Sequence, residues 1–119
     1  MKIDEIKPAR KFRPGGSGKT EISHAANIRL ESDEQITFIT SSGKEHDFVA
    51  KSWGFYSTPS INGRLKDQGF KTALVGNSQG RIYIMAVEPE RMEEFENYLK
   101  REKNVVLEWL DERKGQIRA

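Results

Sequence analysis

The stretch "FKTALVGNSQGRIYIMAVEPERMEEFENYLKREKNVVLEWL", residues 70–110, decides the class of fold. Two apolar runs flank Asn77-Ser78-Gln79-Gly80, a turn-forming tetrad, and so form an antiparallel hairpin. The second run is apolar on both faces, with Ile82, Ile84 and Ala86 on one and Tyr83, Met85 and Val87 on the other, which predicts a central strand. Pro89 then opens a helix in which Met92, Phe95 and Leu99 recur at three and four residues. The glutamates of its first turns suit the positive end of the helix dipole. Asn104 ends the helix, and "VVLEWL" supplies a last strand. Strand, turn, strand, helix, strand is an α+β arrangement.

Working back from this block, Thr58 is placed as an N-cap with Pro59 at the first helical position, and Ile61 and Leu65 give a short helix its buried stripe. Gly69 followed by Phe70 reads as a left-handed C-terminal cap. Gly63, in the middle, costs about 1 kcal/mol relative to alanine and signals close packing or a ligand near the backbone. Further back, "QITFIT" is a strand that a Ser-Gly turn joins to another near "EHDFVAKSW". "EISHAANIRL" alternates cleanly, with Ile22, His24, Ala26, Ile28 and Leu30 on one face. From the third strand onward the order is strand, helix, strand, strand, helix, strand. The expectation is therefore an α+β, ferredoxin-like (split βαβ) sandwich with an N-terminal strand or hairpin extension. The alternative is a curled antiparallel meander, a half-barrel, with two helices. Residues 1–20 are expected to be a flexible basic tail, 21–111 a single α+β domain, and 112–119 a flexible C-terminal tail.

Composition narrows the function. Across 119 residues, 20 Lys and Arg face 18 Asp and Glu, and a net charge of +2 falls short of a dedicated duplex-DNA binder. The charge is nonetheless dipolar, because six basic residues lie among the first twenty and nine acidic ones fall between Glu88 and Glu112. With no cysteine there is no disulfide, thiolate metal site or thiol nucleophile. No apolar run approaches the roughly 18–20 residues of a bilayer span, so the expectation is a cytoplasmic protein with no membrane contact.

Several motifs fail on inspection. "RPGGSGKT" ends like a phosphate-binding loop, yet Arg13 stands where the first glycine belongs and a strand follows where a helix is required. It reads as a flexible connector. Neither His24 nor His46 has metal-ligand spacing, and no serine sits in a glycine-flanked elbow. No cofactor, metal or catalytic residue is expected.

What remains is "KSWGFYSTPSINGRL", residues 51–65, where large aromatics precede a polar helix entry. The candidate ligand-binding residues are Lys51, Trp53, Tyr56, Ser57, Thr58, Ser60, Asn62 and Arg64, set around backbone N–H groups of a first helical turn. The chemistry fits a small anion or sugar phosphate. The bland reading of the same residues is core packing by the aromatics, capping by Thr58 and a solvated Arg64. A second reading is single-stranded nucleic-acid (RNA) binding, because Lys51, Trp53, Gly54 and Phe55 match part of the aromatic RNA-contact motif, although Ser52, Tyr56 and Thr58 depart from it. A third is a homo-oligomeric interaction module, with the acidic helix or an uncovered N-terminal strand as the contact, giving a monomer or weak homodimer. Through "DEQITFITSSGKEHDF", "KSWGFYSTPSINGRL" and "WLDE", the chain resembles a group of small bacterial proteins without assigned activity, associated with cell-surface polysaccharide gene neighbourhoods. The resemblance implies a bacterial cytoplasmic protein and supplies no catalytic residues. A non-enzymatic binding or accessory domain is the leading expectation.

Overall fold

The computed structural model describes residues 1–14 and 18–114. Among the described residues, eight strands form three small antiparallel sheets, and with two α-helices they make an α+β fold of open sheets with no barrel. The first sheet is a two-stranded ribbon of β1 (Lys2–Phe12) and β2 (Ile22–Arg29). The second is a meander of β3 (Gln35–Ile39), β4 (Glu45–Lys51) and β5 (Gly54–Ser57). After α1 (Arg64–Asp67) come β6 (Lys71–Gly76) and β7 (Ile82–Val87), then α2 (Met92–Glu102) and β8 (Val105–Trp109). In the third sheet β6 lies between β7 and β8.

Four expectations are corrected. Most of the basic N-terminal tail is strand β1, and its cations are engaged along the ribbon: Asp4 pairs with Lys2 at 3.8 Å and Arg29 at 3.7 Å, and Lys7 with Glu5 at 2.7 Å. The strand was hidden because Ile3, Ile6, Ala9 and Phe12 recur at three rather than two, and because Pro8 sits where the register slips between Glu5 and Arg10. The split βαβ order is also not formed among the described residues, since β6 pairs directly with both β7 and β8 and the strands before α1 keep to their own sheet. The central strand is β6, with β7 at an edge. Its two-sided apolarity has another cause, taken up below.

The fourth correction is α1. It begins at Arg64 rather than Pro59 and is only four residues long, because residues 60–63 form a turn closed by Ser60. The Ser60 hydroxyl accepts from the Arg64 N–H at 3.1 Å and lies where a Cβ on Gly63 would sit, 2.5 Å away. Close packing is thus the reason for that glycine. The expected stop is present: Gly69 has φ +95 and the Phe70 N–H donates to the Leu65 carbonyl at 3.2 Å. The "NSQG" hairpin also forms, with Gly80 at φ +78 and Asn77 Oδ1 accepting from the N–H groups of Gln79 and Arg81. The expected C-terminal tail falls partly outside the described residues, as do Gly15, Gly16 and Ser17 of the connector.

The core lies between the third sheet and α2. Ala73 and Val75 of β6 are fully buried against Leu99, and Met85, Phe95, Tyr98, Val106 and Trp109 close around them. Phe95 and Leu99 of the stripe read from the sequence therefore face inward. Asp111 fastens the C-terminal end to this sheet, in a 3-10 turn (Leu110–Glu112) after β8. It is 3% exposed, accepts from the Thr72 N–H at 2.9 Å and pairs with Lys71 at 3.3 Å. Burial opposes the charge on Lys71, but Asp111 and then Glu112 outweigh it and hold the ammonium above its ordinary value. Its Nζ also lies 4.8 Å from the Trp109 ring centroid.

Replacing Asp111 with Ala strands the buried Thr72 N–H, which costs about 1–3 kcal/mol by the usual penalty for an unmade buried bond. Urea unfolding is expected to show that loss, with a smaller one for Asp111→Asn, whose amide oxygen can still accept. Equal stability of Asp111→Ala and wild type would remove Asp111 from this role.

Candidate functional site

The junction at residues 51–64 keeps its aromatics outside. Trp53, on the tight turn between β4 and β5, is 69% exposed and stacks on Tyr56 at 5.9 Å with the planes 13° apart; Phe55 is 68% exposed. They form a ledge rather than the wall of an enclosed core. The polar residues around it are engaged within the chain. Lys51 bonds Asp33, and that hydrogen bond is the main cause holding its ammonium above the ordinary value. Arg64 reaches Asp47 at 3.2 Å, Asn62 donates to the Arg113 carbonyl at 3.3 Å, and Ser60 closes its own turn. The Thr58 N–H donates to the Asp47 carbonyl at 3.0 Å, while its buried Oγ1 has no hydrogen-bond partner among the described residues. Both cations expected to receive an anion are thus already paired. A four-residue helix also lacks the run of aligned N–H groups that a phosphate requires.

One pair of functional groups here was not anticipated. His46 Nε2 lies 2.6 Å from the Ser57 hydroxyl, brought together by the pairing of β4 with β5. The imidazole stacks on Phe48 at 4.8 Å and approaches Phe70 at 6.0 Å. Burial depresses its pKa, with the charge of Asp47 opposing more weakly. A neutral imidazole beside a hydroxyl is the first element of acyl-transfer chemistry. The second is missing, because Nδ1 has no hydrogen-bond partner among the described residues, and the Asp47 carboxylate points to the opposite face, held by Thr37 at 2.6 Å. The pair is better described as the link between β4 and β5 in the meander.

The larger concavity lies elsewhere. A cleft of about 820 Å³ opens between Pro14, Lys19, Thr20 and the start of β2, the β6–β7 hairpin and the C-terminal end of α2. Lys19, Arg81, Arg101 and Lys103 line it, with Tyr83, Tyr98, Thr20, Asn77 and Asn104 between them. Its acidic residue, Glu102, has a side chain only 6% exposed and pairs with Arg101 at 3.6 Å. Arg101 bridges the walls, donating to Thr20 Oγ1 at 3.4 Å and lying 5.5 Å from the Tyr98 ring centroid. Arg81 and Lys103 form no ion pair among the described residues, and the left-handed backbone of Lys103 (φ 58) ends the helix beside the opening. Sequence spacing does not reveal this cluster, since Lys19 and Arg101 are joined only by the way the ribbon meets the third sheet. The one local signal is the run of cations at the end of α2, where they also suit the helix dipole.

The His46 environment makes the fold sensitive to pH. The folded imidazole binds its proton less tightly than the unfolded one, so below its ordinary value of 6.5 the unfolded state takes up more protons. Stability is expected to fall as pH drops from 7 through that range, and this slope should flatten in His46→Phe. Equal slopes in urea titrations of the two proteins would contradict it. No helix among the described residues is long and apolar enough to cross a membrane, and none of their Asp, Glu and His groups cluster as a metal site. Comparison with protein-family models, curated proteins and solved structures gives no match.

Proposed function

We propose that the chain is a non-enzymatic binding module whose ligand is a small anion, such as a sugar phosphate, held in the cleft beside Arg81, Arg101 and Lys103. The observation that carries this reading is the charge balance of the cleft. Four cations line it, its single carboxylate is buried against Arg101, and two of the cations have no ion-pair partner among the described residues. Guanidinium groups present planar, bidentate donors suited to phosphate oxygens, and the tyrosine hydroxyls and asparagine amides suit sugar hydroxyls. The cleft replaces the junction at residues 51–64, whose cations are committed to Asp33 and Asp47.

Single-stranded nucleic acid is the second reading. The exposed Trp53–Tyr56 stack is the observation in its favour, since bases stack on such surfaces. Against it, the cations beside that stack, Lys51 and Arg64, are already neutralised.

The deciding experiment is an amide chemical-shift titration with inorganic phosphate, sugar phosphates and short oligonucleotides. Sugar phosphates are expected to move residues 77–81 and 101–104 while leaving 53–57 in place. Arg81→Ala with Lys103→Ala should weaken binding by tenfold or more, the scale of losing one charge-assisted hydrogen bond of about 1.5–3 kcal/mol. Shifts confined to 53–57 with oligonucleotides would favour the second reading. No shift in either region at millimolar ligand would sink both.

A further inference from the structure

The third sheet has two faces, and the chain covers one of them. Side chains that are paired across strands share a face. The register puts Ala73 with Met85 and Trp109, and Val75 with Tyr83 and Val106, on the side of α2. It puts Leu74 with Ile84, and Gly76 with Ile82 and Val105, on the other. At the bulge in β8, Leu107 turns to that second side and lies against Gly76, where a Cβ would come within 3.1 Å of its methyl. Leu74 is half-buried and Gly76 buried, but no helix among the described residues lies across the rest of this face: Ile82 is 60%, Ile84 69%, Val105 60% and Leu107 53% exposed.

We propose that this face is where two copies of the chain pair. The surface of the single chain argues for an occupant of that size. Over its three sheets and both ends it exposes 8866 Å², whereas a folded monomer of 13.6 kDa exposes about 6,600 Å²; the excess of about 2,300 Å² is shared among every uncovered face, this one included, and is larger than the roughly 800 Å² per partner that a stable interface takes. Its radius of gyration, 16.1 Å, likewise exceeds the about 13.5 Å of a compact chain of this length. The chemistry of the face points to a second copy. It is built of aliphatic side chains on a three-stranded antiparallel sheet, and its acidic residue, Glu108, is paired with Arg113 at 2.5 Å. Arg113 is spent on Glu108, so among the described residues this face presents no unpaired cation to nucleic acid or an anionic bilayer. A sheet face of this kind is self-complementary, because two copies related by a twofold axis stack face to face about 10 Å apart, as in a β-sandwich.

This also accounts for β7. Its alternation is apolar on both sides although it is an edge strand, because Tyr83 and Met85 serve the chain's own core and cleft while Ile82 and Ile84 serve the partner copy. The cleft lies on the α2 side of the sheet, so pairing leaves it open.

Light scattering coupled to size exclusion is expected to give twice the 13.6 kDa chain mass at micromolar concentration. Ile84→Glu should weaken the dimer at least a hundredfold, whereas Phe55→Glu, an equally exposed position on the second sheet, should leave it unchanged. Where Ile84→Glu does not fold, the wild-type protein decides through the broadening of methyl resonances by a soluble paramagnetic agent. The methyls of Ile84, Val105 and Leu107 should be protected like those of buried Val75, with Ile39 on β3 left open. A mass of one chain at all concentrations, a dimer indifferent to Ile84→Glu, or face methyls broadened like Ile39 would overturn the proposal. That includes the case in which the face serves a different protein or a lipid surface.

Discussion

The structure turns on a shortage of cover. Three sheets of two or three strands each present two faces, but among the described residues only α2 is long enough to lie across one. The residues that fill a core, Ala73, Val75 and Leu99, accordingly gather under that helix. A second long helix before β6 would have covered another face, and the Ser60–Gly63 turn reduces it to the four residues of α1. The apolar side chains left outside each forgo a part of the about 1.5–3 kcal/mol that full burial gives. The pairing proposed for the third sheet would supply that burial.

Polar contacts do much of the joining between layers. Lys44, between β3 and β4, donates to the Gly69 carbonyl at 3.1 Å and pairs with Glu90 at 2.6 Å, so the meander grips both the end of α1 and the entry to α2. That hydrogen bond is the main cause holding the Glu90 carboxyl below its ordinary range. Asp47 repeats the pattern on the other side, binding Thr37 within the meander and Arg64 at the start of α1. The ribbon is held more lightly, through the N-terminus on Glu34 and Arg101 on Thr20. That second contact crosses the cleft, so its width depends on how the ribbon sits, and an anion bound there would tie the ribbon to the third sheet.

What was legible in the sequence followed from local chemistry. The "NSQG" turn, the stripe of Phe95 and Leu99, and the stop at Gly69 and Phe70 are each fixed by residues within a few positions, and each stands as read. What was missed depends on partners distant in sequence. β1 is a strand because β2 pairs with it, and β5 is one because the turn at Ser52 and Trp53 brings the chain back along β4. β7 looked central because apolarity on both faces does not say whether the second face meets the same chain or another. At the site, the sequence leaves open whether Trp53, Phe55 and Tyr56 pack inward, and the structure places them outside. The charges of Lys51 and Arg64 could not be seen to be spent, because Asp33 and Asp47 reach them only through the meander.

The fold and the proposed self-pairing are therefore one question, and the dependence of thermal unfolding on protein concentration addresses it directly. If the second copy completes the core, each tenfold rise in concentration stabilises the native dimer by about 1.4 kcal/mol, and Tm climbs by several degrees between roughly 1 and 100 µM. A Tm that stays constant across that range would show that the single chain is stable with its sheet face bare, and would contradict the account.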